Sequence, residues 1–242
     1  RPSCMIDETI AEIRDMQTHS SSVVAVKATR ALSELLERDH ATVEEFERDL
    51  ERNASALKRA NPSHASLFNA MQTVLVNVVD RKDSVEESKS LLADVTERVV
   101  EDVRQGKSRA ARQAAPSFED GKTFLTHDFS STVLEAIERA VDDGADLTAY
   151  VTEARPRYLG RKCARRLAEI DSVEPHLLVD GAAGSFLAEC DRVVIGMDCI
   201  VDDTLYNRVG TYPIVATAAH LDVPVTVVGS AAKIVDSGFV FE

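Results

Sequence analysis

Glu153, Arg155, Asp180 and Asp198 each follow a short apolar run, and that placement is where residues of these types can do chemistry. Leu147-Thr148-Ala149-Tyr150-Val151 leads into Thr152-Glu153-Ala154-Arg155-Pro156, Leu177-Leu178-Val179 into Asp180, and Val193-Val194-Ile195 into Gly196-Met197-Asp198. Short β-rich runs separated by helix-length segments describe a parallel sheet of βαβ units. Ligands of such sheets sit outside the carboxyl ends of the strands, so these side chains face the place where a ligand would lie. Carboxylates there can exchange protons, and a guanidinium can hold an anion. His127 ends another such run and reads as a packed histidine, because no metal-ligand spacing accompanies it.

The elements that must position these residues are legible from periodicity. Ile6, Ile10, Ile13 and Met16 recur at helical spacing, and Val23, Val26, Ala31 and Leu35 mark a second helix. Thr42-Val43-Glu44-Glu45 is a capping-box-like start for a third helix through Ala60, which Asn61-Pro62 ends. Leu67, Met71, Leu75 and Val78 form a fourth stripe, and a fifth helix is expected from Ser84 to Gln105. Gly106 to Lys122, with Pro116 and Gly121, reads as a solvated linker. A strand over Lys122 to His127 then opens an α/β half, with helices expected over 133–141, 157–170, 183–190 and 211–221 and a strand over 223–228. The expected fold is α/β, with a helical N-terminal domain over residues 5–115 and a Rossmann-like parallel-sheet C-terminal domain over residues 120–242. The last residues, Gly238-Phe239-Val240-Phe241-Glu242, are strand-like with no closing helix, so this domain is expected to lack its C-terminal end.

Composition bounds the function. Apolar residues make up 44% of the chain, which is ordinary for a globular protein. No run approaches the ~18 apolar residues of a membrane span and no basic-then-apolar leader is present, so a cytoplasmic protein without a membrane partner is expected. Acidic residues number 41 against 28 basic ones, for a formal net charge of −13. Such a surface repels phosphate backbones, so no direct nucleic-acid partner is expected unless a basic patch exists. Excess acid, few lysines and many small residues read as a halophilic protein kept soluble in concentrated salt. Cys4, Cys163, Cys190 and Cys199 show no C-x-x-C spacing, and reduced buried thiols are expected, with no metal and no cofactor.

Four motifs occur in order: Thr126-His127-Asp128-Phe129-Ser130-Ser131, Thr152-Glu153-Ala154-Arg155-Pro156, Gly196-Met197-Asp198 and Asn207-Arg208-Val209-Gly210-Thr211. Together they resemble the alpha/beta/delta regulatory subunits of translation initiation factor 2B, a superfamily that includes ribose 1,5-bisphosphate isomerase and methylthioribose 1-phosphate isomerase. The helical half fits as well, including Asn61-Pro62-Ser63-His64-Ala65 through Asn69-Ala70. The resemblance implies a helical domain packed on a Rossmann-like domain, a sugar-phosphate pocket between them, and homo-oligomers built through the C-terminal domain. It implies an acid/base pair for the isomerases, a cysteine after the first strand of that domain and the aspartate of a G-A-D motif, acting on either side of a C1–C2 bond. Asp198 stands at the aspartate position and reads equally as a cap of the following turn. Asp128 stands at the cysteine position.

Departures from the enzymes set the functional expectation. Asp128 replaces a thiol, Leu159 stands where a glutamine precedes Gly160, Arg208 replaces a lysine, and His19-Ser20-Ser21 replaces an Arg-Gly-Ala phosphate loop. Candidate catalytic residues are Asp198 and Asp128, and candidate substrate-binding residues are Ser20, Ser21, Ser130, Arg155, Asn207 and Arg208. Arg155 reads either as an anion anchor or as a structural partner of a carboxylate. Four changed contact positions favour a regulatory protein of the initiation-factor-2B type with a degenerate sugar-phosphate pocket and no catalysis, whose partners are a phosphometabolite or initiation-factor subunits. The alternative is a ribose 1,5-bisphosphate isomerase with an altered site. An exchange factor in its own right is disfavoured, since no G-x-x-x-x-G-K-[ST] loop is present.

Overall fold

Ile6 and Ile13, two turns apart, fall on one buried face of α1 (Met5–Arg14), and the same logic shapes each helix that follows it. A computed structural model describes residues 5–15 and 20–235. The expected strand-like run Gly238 to Phe241, together with Met16, His19 and Cys4, lies outside the described residues. Two compact units emerge: residues 1–106 with 201–203 and 231–242, and residues 107–200 with 204–230.

The first unit is helical. After α1 come α2 (Ser21–Ala31), α3 (Val43–Ala60), α4 (Ala65–Val78) and the leading part of α5 (Val85–Ala114). Thr42 caps α3 by accepting from the Glu45 amide at 3.2 Å, while the Glu45 carboxylate accepts from the Ala41 amide at 2.7 Å. α3 ends at Ala60, directly before Asn61-Pro62. Phe46, Leu50, Leu57, Leu67, Met71 and Leu92 fill the core without exposure. Asn69 donates to the carbonyls of Ala232 and Ile234, tying α4 to the late segment of the same unit. The linker expected over Gly106 to Lys122 is instead helical through Ala114. Gly106 costs a helix ~1 kcal/mol against alanine, but its neighbours are good helix formers and Ala111 and Ala114 are buried.

The second unit is built on a five-stranded parallel sheet. In chain order its elements are β1 (Thr123–His127), α6 (Ser131–Asp142), β2 (Leu147–Thr152), α7 (Leu159–Leu167), β3 (Val173–Leu178), the one-turn α8 (Ala183–Phe186), β4 (Arg192–Ile195), the short β5 (Cys199–Val201) and β6 (Thr204–Tyr206), α9 (Thr211–His220) and β7 (Val225–Val227), while β8 (Ile234–Val235) belongs to the first unit. The large sheet runs β3-β2-β1-β4-β7, all neighbours parallel. Apolar clusters cover both of its faces: Phe124, Ala149, Val151 and Val194 with α6 and α7, and Leu125, Val193 and Ile195 with α8 and α9. The chain winds outward from β1 through β2 to β3, then returns to the other side of β1 with β4. The gap between β1 and β4 is therefore the switch point, where ligands of open α/β sheets bind. Among the described residues no helix is long and apolar enough to cross a membrane.

Candidate active site

Asp128 and Asp198 flank that switch point, the first directly after β1 and the second three residues beyond β4. Asp128 adopts a left-handed backbone (φ 67°), a conformation aspartate tolerates better than most residues, which turns the chain sharply between β1 and α6. Ser130 then caps α6 by accepting from the Val133 amide at 3.3 Å. Gly196 is required on the other side: a Cβ there would lie 2.7 Å from Ser130 Cβ and Oγ. The Asn207 side-chain amide donates to the Gly196 carbonyl at 3.1 Å, and the Asp198 amide donates to the Tyr206 carbonyl at 3.2 Å. Asn207 thus fixes the loop that carries Asp198.

Arg208 joins the two aspartates. Its Nε lies 3.0 Å from Asp128 Oδ2 and 3.6 Å from Asp198 Oδ2. Asp128 is 7% exposed. Burial pushes its carboxyl above the ordinary carboxylate range, the facing Arg208 opposes the rise, and the charge of Asp198 adds to it. A neighbouring thiol does not stand in for the missing cysteine: Cys163 is buried on α7, and burial pushes its pKa up to about 12, the charge of Asp128 adding to the effect. His127 is packed and held at both ring nitrogens. Nε2 donates to the Val209 carbonyl at 2.7 Å, and Nδ1 lies 2.6 Å from Thr152 Oγ1. Gly210 (φ 101°) makes room for that ring, since a Cβ would come within 2.8 Å of His127 Cε1.

The remaining sequence candidates divide. Asp180 is a loop clamp: its two carboxylate oxygens accept the amides of Ala154 at 2.7 Å and Arg155 at 2.8 Å. Ala154 there takes a left-handed backbone (φ 59°), a strain that this pair of charge-assisted bonds offsets. Arg155 itself is exposed, with its guanidinium 5.7 Å from the Tyr158 ring, and among the described residues no carboxylate pairs with it. Glu153 is buried and takes Arg161 at 2.7 Å. Ser20 and Ser21 stand at the start of α2 in the helical unit, where the Ser20 hydroxyl lies 3.1 Å from that of Ser22. Arg161, Lys162 and Tyr158 were not singled out from sequence. The signal that could have found them is a dense run of cations on and before α7.

Comparison with known proteins bears on what this arrangement does. The family model described as initiation factor 2 subunit family matches residues 17–238. The ribose 1,5-bisphosphate isomerase of Haloterrigena turkmenica is 34% identical over 228 residues, covering 93% of this chain and 69% of that protein. The ribose 1,5-bisphosphate isomerase of Methanocaldococcus jannaschii is 32% identical over 224 residues, covering 91% of this chain and 70% of that protein. Among solved structures, the translation initiation factor eIF-2B of Pyrococcus horikoshii OT3 superposes with a TM-score of 0.83 at 25% identity, covering 95% of this chain and 79% of that one. These relatives correct the functional expectation drawn from sequence. Four curated relatives at 30–34% identity carry the isomerase name, which overturns the reading of a non-catalytic regulatory protein in favour of its alternative. With its four motifs gathered at the strand ends and a family match running from residue 17 to residue 238, the chain belongs to the initiation factor 2 subunit family.

Proposed function

We propose that this protein isomerises an aldose phosphate to a ketose phosphate, with ribose 1,5-bisphosphate as substrate and ribulose 1,5-bisphosphate as product. The observation that carries the reading is the pair Asp128 and Asp198, set on either side of the switch point with Arg208 between them. An aldose–ketose shift needs one group to give a proton to the ring oxygen as its bond to C1 opens and to recover a proton from the C2 hydroxyl as the ketone forms, and another to move the proton of C2 to C1. Asp128 suits the first role, because its burial favours the protonated form. Asp198 suits the second, as a carboxylate facing the same guanidinium. A buried carboxyl with a raised pKa holds its proton to higher pH than an exposed one, so Asp128 can carry a proton where a thiol is absent.

The test is a substrate panel with the purified protein, followed by phosphorus NMR. Ribose 1,5-bisphosphate and methylthioribose 1-phosphate are supplied in parallel at matched concentrations. Conversion of the bisphosphate, with the methylthio sugar slower by at least tenfold, supports the reading. Conversion of the methylthio sugar alone contradicts the substrate assignment, and conversion of neither contradicts the reaction.

A further inference from the structure

The strongest feature left unassigned is a reversal of charge. Residues 155–166 carry six cations, Arg155, Arg157, Arg161, Lys162, Arg165 and Arg166, and no acid, in a chain where 41 acidic residues outnumber 28 basic ones. All six are exposed. α7 buries Leu159, Gly160, Cys163 and Leu167, which turns Arg161, Lys162, Arg165 and Arg166 toward water together. Two of the charges are locally compensated, Arg161 by Glu153 at 2.7 Å and Arg166 by Glu169 at 2.8 Å. Among the described residues, no carboxylate pairs with Arg155, Lys162 or Arg165. The face also adjoins the aspartate cluster. Lys162 Nζ lies 4.6 Å from the centre of the Phe129 ring, and Phe129 directly follows Asp128.

We propose that this cationic face collects doubly phosphorylated sugars and steers them to the Asp128–Asp198 cluster, raising the rate of capture rather than the rate of chemistry. The proposal rests on the isomerase reading of that cluster and adds to it a preference for bisphosphates over monophosphates. A phosphate monoester carries about −1.5 to −2 charges at neutral pH, so a bisphosphate feels roughly twice the pull of a monophosphate. Clustered charge of one sign raises association rates by ~10–10³-fold. Outside this run the chain is acidic on balance and repels the same ligands, which favours approach over this face. Lys162 and Arg165 make none of the bonds that hold the two aspartates, so exchanging them leaves the reacting groups in place.

The experiment compares the full chain with a Lys162→Glu/Arg165→Glu double variant and a milder Lys162→Gln/Arg165→Gln one, each checked for native circular dichroism. The readouts are kcat and kcat/KM for ribose 1,5-bisphosphate from 0.1 M to 1 M salt, where the screening length falls from ~10 Å to ~3 Å. Unchanged kcat, a kcat/KM lowered about tenfold at 0.1 M in the Glu variant and less in the Gln variant, and convergence of all three proteins at 1 M support the proposal. Equal salt slopes in the three proteins overturn it, as does a loss confined to kcat. Calorimetry with inorganic pyrophosphate provides an arm that needs no turnover. Weaker binding by the Glu variant at 0.1 M supports the face as a phosphate collector, and equal binding overturns it. Absence of turnover in the unmodified protein counts against the isomerase reading and leaves the pyrophosphate arm to decide the face. Tight retention of a single-stranded RNA oligomer that both variants abolish, with kcat/KM unmoved, overturns the proposal in favour of a nucleic-acid surface.

Discussion

Arg208 lies 3.0 Å from one aspartate and 3.6 Å from another, and this shared cation governs how the site divides its protons. Replacing either carboxylate removes one half of the acid/base pair, so Asp198→Asn and Asp128→Asn are each expected to lower kcat by ~10²–10⁴-fold; steady-state kinetics would show it. The raised pKa of Asp128 gives a pH dependence with a definite sign. A general acid must be protonated, so activity falls as pH rises through its pKa, and that alkaline limb lies above the ~3.9 of an ordinary aspartate. Arg208→Gln removes the cation that opposes the rise, and the limb moves to higher pH; a profile unchanged by that substitution would show that Asp128 does not set it. Little of this was legible in the sequence. The positions of Asp128, Asp198 and Arg208 were, but not that one guanidinium faces both carboxylates, since the three come from separate loops whose approach depends on strand order.

At the scale of elements, the helices and strands were readable because burial imposes a period on each one, as with Ile6 and Ile13 in α1 or the apolar runs of β2 and β4. Two things were not. The segment after Gly106 reads as a linker by composition, yet burial of Ala111 and Ala114 continues α5 through it. The segment over 183–190, expected as a full crossover helix, yields only the one-turn α8 (Ala183–Phe186) between 3-10 turns. Close approaches set the hardest limits. A Cβ at Gly160 would lie 1.8 Å from the Thr152 carbonyl oxygen, so α7 can pack on the end of β2 only with glycine there. Gly160→Ala is therefore expected to destabilise the protein by ~1–3 kcal/mol or more, read as a lower denaturation midpoint. Asp180 holds the Ala154–Arg155 loop by two amides. Asp180→Ala is expected to cost about 1–3 kcal/mol and to speed amide exchange at Ala154 and Arg155, with α6 and β1 unaffected.

The whole molecule brings together an acidic net charge and a cationic face on α7 beside a switch-point site. Net charge was countable from the sequence, but its segregation onto one side of α7 depended on knowing which residues that helix buries. We carry forward as proposals two properties at this scale. One is assembly into a dimer or larger species through the C-terminal half, where Val209, Tyr212 and Val227 are exposed; light scattering at micromolar protein in molar salt would show a mass at least twice that of the chain. The other is dependence on salt, since −13 net charges repel one another unless screened; the thermal midpoint should rise with potassium chloride. The claim on which the rest depends is that the two aspartates move the protons of a sugar-phosphate isomerisation. Its most direct test is a single-turnover assay in deuterium oxide with ribose 1,5-bisphosphate, comparing the unmodified protein with Asp198→Asn. The account expects ribulose 1,5-bisphosphate, with deuterium at C1 in the fraction of turnovers where the base exchanges with solvent before returning the C2 proton, and loss of product formation by at least ~10²-fold in the variant. Absence of product from the unmodified protein, or product formed as fast by Asp198→Asn, would contradict it.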